Sequence, residues 1–111
     1  MKKLVVAATA ALLLFLSVAA NAALVLKDTA GNVVRLTDAP CVHETVLKHV
    51  HEAVQEQYVS RYKAGSLLWE GKSFAACYVI LNETVFLIDE AGDKLNGFEG
   101  IPLSAFSEDT L

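Results

Sequence analysis

The chain is short of positive charge and of the usual catalytic motifs. Nine Lys and Arg face 13 Asp and Glu, for a net charge of −4. A basic excess that could hold a phosphate backbone is missing, which argues against a nucleic-acid partner. There is no G-x-S-x-G, no H-E-x-x-H and no Gly-rich phosphate loop. Those absences remove the signatures of serine hydrolases, zinc proteases and nucleotide-binding enzymes. Only two cysteines occur, and they do not form a C-x-x-C pair, so a thioredoxin-like redox site is not indicated. Beyond residue 22 no apolar run approaches the roughly 18 to 20 residues that a bilayer-spanning helix needs.

What is present first is a leader. Met1-Lys2-Lys3 is a short basic start, and Leu4 to Ala20 is almost wholly apolar. Ala20-Asn21-Ala22 supplies the small-x-small box of a signal peptidase site. Residues 1–22 therefore read as a cleavable secretory signal, and residues 23–111 as a single mature domain. An uncleaved N-terminal anchor is the alternative. No Cys follows the apolar run closely, so a lipoprotein is not expected. Cleavage takes Lys2 and Lys3 away, which leaves seven basic side chains against 13 acidic ones. The expected location is the periplasm or the medium, with no stable membrane span after cleavage.

Cys41 and Cys77 both lie in the mature part. In an oxidising compartment, an even pair in a small domain reads as a disulfide. The loop it closes is worth about 3 to 4 kcal/mol in the chain-entropy model. A pair of free thiols is the rival reading.

The apolar pattern changes period along the chain. Leu24-Val25-Leu26 and Val33 to Leu36 flank Asp28 to Asn32 and predict a hairpin. Val46, Leu47, Val50, Ala53, Val54, Tyr58 and Tyr62 recur at three- and four-residue steps. That stripe predicts one helix from about Val42 to Tyr62. Thr37 or Asp38 is its expected N-cap, Pro40 sits in its first turn and Gly65 ends it. Strands follow at Ser66 to Trp69, Ser73 to Leu81 and Val85 to Asp89, with turns at Glu70-Gly71-Lys72, Asn82-Glu83 and Asp89 to Asp93. A weaker strand is expected from Lys94 to Phe98, a helical turn from Pro102 to Phe106, and a frayed acidic tail. The Asp28-Thr29-Ala30-Gly31-Asn32 segment is echoed by Asp89-Glu90-Ala91-Gly92-Asp93, which reads as one turn chemistry used twice. The expected fold is α+β: one long amphipathic helix packed on a small meandering antiparallel sheet, stapled by one disulfide.

A two-residue turn at Asn82-Glu83 pairs 81 with 84, 80 with 85 and 78 with 87. Cys77, Val79, Leu81 and Phe86 then share the helix side, while Tyr78, Ile80, Val85 and Leu87 share the far side. Both faces are apolar, and one helix covers only one of them. Either the rest of the chain covers the far face, or part of it binds a partner or a second copy. Tyr78, Ile80, Val85 and Leu87 are accordingly candidate binding residues, with Trp69 as a fifth that serves either as an anchor or as a core-edge residue. His49, Glu52 and Glu56 fall on one face of the expected helix and form a candidate metal set, against a plain solvated face. No cofactor is expected.

Leu36-Thr37-Asp38-Ala39-Pro40-Cys41, Ala76-Cys77-Tyr78, Asp89 to Asp93, Pro102 and Phe106 make a layout that resembles small exported proteins of bacteriophages and their proteobacterial hosts. The resemblance implies an exported domain with one disulfide and carries over no functional residue beyond Cys41 and Cys77. The functional expectation is a non-catalytic binding protein of the cell envelope, either an inhibitor or a phage-encoded envelope modifier. Its partner would be an envelope protein or a second copy of itself. A self-associating structural subunit and a small metal enzyme using His49, Glu52 and Glu56 are the alternatives.

Overall fold

The computed structural model describes residues 23–97 and 99–109. The leader read in residues 1–22 lies outside the described residues, as does Phe98. Seven strands make one antiparallel sheet: β1 (Ala23–Lys27), β2 (Val33–Pro40), β3 (Lys63–Trp69), β4 (Lys72–Leu81), β5 (Thr84–Asp89), β6 (Ile101–Pro102) and β7 (Ser107–Asp109). Their spatial order is β6-β5-β4-β3-β2-β1-β7. The first five form a meander, as the hairpin signals require. The tail does not fray as expected. Ser107 to Asp109 pair with Val25 to Ala23. A single 3-10 turn, Leu103–Ala105, carries the chain from β6 at one edge to β7 at the other. The sheet must curl for so short a link to reach both edges, and it forms a half-barrel. Lys94 makes an isolated bridge to Ile88 where a short strand was expected.

The helix prediction is corrected. Two short helices, α1 (Glu44–Ala53) and α2 (Glu56–Val59), replace one long one. The reason is topological. Pro40 pairs with Lys63 across β2 and β3, and the Cys41 N–H donates to the Tyr62 carbonyl at 3.3 Å. The excursion must therefore return to its origin. A single helix from Val42 to Tyr62 would hold its ends about 30 Å apart, whereas paired strands need about 5 Å. The chain breaks at Val54, which takes an extended conformation. The apolar stripe keeps part of its packing meaning: Val46, Val50 and Tyr62 bury in one cluster, joined by Val59, whereas Ala53 and Tyr58 of the stripe stay exposed. The cap is corrected too. Thr37 and Asp38 lie in β2, and His43 caps α1, its Nδ1 accepting from the Val46 N–H at 3.5 Å. Gly65 ends no helix. It lies inside β3, where an added Cβ would stand 2.9 Å from the Arg35 carbonyl oxygen.

The sheet has a core on each face. Inside the curl lie Val34, Leu36, Leu67, Ala76, Tyr78, Val85, Leu87, Ile101 and Phe106. Outside, α1 and α2 press Val46, Val50, Val59 and Tyr62 onto Cys77, Val79 and Ile88. The β4–β5 register is the expected one, with Leu81 opposite Thr84, Ile80 opposite Val85 and Tyr78 opposite Leu87. Cys41 and Cys77 are disulfide-bonded, with their Cα atoms 5.7 Å apart. The bond ties the start of the helical excursion to the middle of β4.

Candidate functional site

The five candidate binding residues do not make one surface. Tyr78, Val85 and Leu87 point into the curl and are buried. The register slip between Leu36 and Pro40 bulges β2 and leaves the Thr37 carbonyl to accept a 2.6 Å hydrogen bond from the Tyr78 hydroxyl. Burial pushes the Tyr78 phenol up from its ordinary value. Ile80 and Trp69 stay exposed, at 39% and 38%, but they sit at opposite ends of β4 and of its partner β3.

The candidate metal residues also separate. His49 Nδ1 lies 3.5 Å from Glu52 Oε1, while Glu56 Oε1 lies 2.8 Å from His51 Nδ1. Because α1 stops at Ala53, Glu56 belongs to the next helix and no longer shares the His49 face. Among the described residues, no three His, Cys, Asp or Glu side chains gather as a metal site.

Ile80 belongs to the first of two exposed apolar ends. Leu81, half exposed, stands beside it, and Tyr58 on α2 is exposed as well. The Arg61 guanidinium lies over the Tyr58 ring, 5.2 Å from its centroid, a cation–π arrangement. A cavity of about 260 Å³ is walled by Arg61, Lys63, Tyr78, Val79, Ile80 and Leu81. Lys63 Nζ is 2.6 Å from Asp38 Oδ1, and the hydrogen bond that it donates to Asp38 holds the ammonium above its ordinary value. A second cavity of about 230 Å³, which shares Val79 and Leu81 with the first, reaches Val54, Phe86 and Lys94. Leu81 itself faces outward, on the side that the sequence assigned to helix cover. The shortened helix leaves it bare. Tyr58 is among the aromatic side chains that the sequence offers as interface anchors, but Leu81 and Arg61 were not legible as site residues, since only the forced return of the excursion at Lys63 could have signalled them.

Trp69 marks the second end, at the mouth of the curl. It stands between cavities of about 210 Å³ and 310 Å³ and, with Leu95, lines both. A turn flanks each cavity, and the two turns are the echoed segments. In one, Asp28 Oδ1 accepts from the N–H groups of Ala30 and Asn32, both at 2.9 Å. In the other, Asp89 Oδ1 accepts from Ala91 at 2.9 Å and Asp93 at 3.0 Å. Both turns carry a glycine at positive φ, Gly31 at 93° and Gly92 at 87°. Asn32 joins its turn to the next hairpin, its Oδ1 accepting from the Glu70 N–H at 2.8 Å. The Asn32 side chain, and then its backbone N–H, hold the Asp28 carboxyl below the usual range. The polar groups around Trp69 are thus committed to shaping the rim, while the indole and the neighbouring Leu68 remain exposed.

No family model matches the chain, and neither does any curated protein or solved structure.

Proposed function

We propose that this chain is an exported, non-catalytic binding protein that acts on another protein at the bacterial cell envelope, as an inhibitor or a phage-encoded envelope modifier. The leader, the net acidic charge and the cysteine pair support export. The observation that carries the binding reading is the grouping of exposed apolar side chains. Of the six large hydrophobics exposed among the described residues, four fall at the two ends of the sheet, Ile80 and Leu81 at one and Leu68 and Trp69 at the other, and Tyr58 on α2 joins the first through Arg61. Rigid aromatic and aliphatic anchors carried on strands are what a protein interface uses.

The test is affinity capture from an envelope fraction with the oxidised mature protein as bait, beside Trp69→Ala and Leu81→Asp baits. The expected result is a partner held by the wild type and lost by at least one variant. Equal capture by all three baits overturns the reading. A stable dimer in sedimentation that either variant dissociates would replace it with a self-associating subunit.

A further inference from the structure

We infer that the Leu81 end of the β4–β5 hairpin holds an acidic, apolar-bearing peptide segment of a partner protein, across the two cavities that share Leu81. The inference rests on the binding reading above and gives that end its ligand chemistry.

The groove exists because the helix cover is incomplete. Val46 and Val50 of α1 reach Cys77, Val79 and Ile88. Leu81, one step further along the same face of β4, is half exposed. The two cavities beside Leu81, about 260 Å³ and 230 Å³, are each below the size of an ordinary small-molecule pocket. Both cavities share Val79 and Leu81 in their walls, which suits an extended segment that lays one side chain in each.

Charge selects the segment. The chain carries a net charge of −4, yet the charged side chains that wall these two cavities are Arg61 and Lys63 in one and Lys94 in the other; Asp38 already pairs with Lys63, so Arg61 is the cation on which the selection turns. Arg61 has its cation–π contact with Tyr58 but no salt bridge among the described residues. Its planar fork is matched by a carboxylate. Other surfaces fit less well. An anionic membrane or a nucleic acid presents an extended anionic surface that meets the acidic chain as a whole, whereas a short segment meets only the patch around Arg61. A second copy docking by the same patch would crowd two Arg61–Lys63 pairs into one interface.

Nuclear magnetic resonance titration of the ¹⁵N-labelled, oxidised mature protein tests this. The probes are the peptide acetyl-ELDFE-amide and its basic counterpart acetyl-KLKFK-amide. The expected result is that the acidic peptide alone shifts the amides of Arg61, Lys63, Ile80 and Leu81. Leu81→Asp and Arg61→Glu should each weaken it about tenfold, and added salt should weaken it further. Both substitutions are at the surface, and unchanged melting temperatures will show that the variants fold. Four results would overturn the inference: no shift with the acidic peptide, equal binding of the basic one, shifts confined to the Trp69 end, or binding of phosphatidylglycerol vesicles instead. An envelope partner captured as well by Leu81→Asp as by the wild type would sink this groove while leaving the binding reading intact.

Discussion

Gly92 lies directly against His49. A Cβ built on Gly92 would stand 3.0 Å from the His49 Cε1, and Gly92 also holds a φ of +87°. The turn after β5 is thereby pressed onto α1, and glycine is required there twice over, for its conformation and for its lack of a side chain. Gly31 occupies the matching place in the sister turn with a φ of +93°, but nothing lies within 4 Å of its Cβ position. Gly31→Ala should therefore cost about 1 kcal/mol from backbone strain alone. Gly92→Ala should cost about 1 to 3 kcal/mol more, because the His49 ring must yield as well. Urea unfolding of the two variants measures the difference. Equal losses would show that the His49 contact is soft.

Glu83 is an unfavourable residue in its turn. It holds a φ of +62° beside Asn82 at +52°, the conformation of a two-residue hairpin that prefers Asn-Gly. Its carbonyl accepts from the Leu103 N–H at 2.8 Å, a contact that any residue keeps. Glu83→Gly should raise stability by about 0.5 to 1 kcal/mol. A thermal melt that stays level or falls would refute this.

These two turns show where the sequence was informative. The Asp-x-Ala-Gly spelling fixed both Asx turns because the Asp carboxylate, the following N–H groups and the glycine φ act within five residues. The β4–β5 register was legible for the same reason, since a two-residue turn sets every later pair. The helix was not. Its stripe of Val46, Leu47, Val50, Ala53, Val54, Tyr58 and Tyr62 marks most of the side chains that pack on the outer core, though not the exposed Ala53 and Tyr58, and it reads the same for one helix or for two that pack on one cluster. What divides the helix is the pairing of Pro40 with Lys63, a long-range constraint that no window of sequence contains. The candidate site was lost by the same route. On the far face of β4 and β5, Tyr78, Val85 and Leu87 close in by curling and leave Ile80 bare, while Leu81, barer still, lies on the side expected to be covered.

Alkali should unfold the protein partly through its tyrosines. Burial raises the phenols of Tyr62 and Tyr78 above their ordinary value of 10.0. A group whose folded value is raised contributes stability that is complete below the unfolded value. That stability is lost as pH rises through the folded value. Stability should thus be level up to about pH 10 and fall beyond it. Tyr78→Phe should flatten part of that fall. It should also cost about 1 to 2 kcal/mol at neutral pH, because the Thr37 carbonyl loses its donor. An unchanged alkaline slope in Tyr78→Phe would show that Tyr78 does not titrate with unfolding.

The disulfide should matter chiefly to the unfolded chain. Replacing Cys41 and Cys77 with Ser should remove about 3 to 4 kcal/mol, read as a drop in the urea midpoint with the folded far-ultraviolet spectrum kept. Cys77 is buried, so reduction of the native protein by a bulky thiol should be slow and should accelerate in urea. Rapid reduction without denaturant would show that the strand around Cys77 opens freely.

Ala23 and Asp109 lie opposite one another in the β1–β7 pair, so the first and last strands of the domain are neighbours. A short linker between them should therefore permit circular permutation, with new ends opened at the exposed Glu70-Gly71 hairpin. A domain rearranged in this way would keep every strand pairing while moving its termini to the rim beside Trp69, where a fused reporter would stand next to whatever approaches that end.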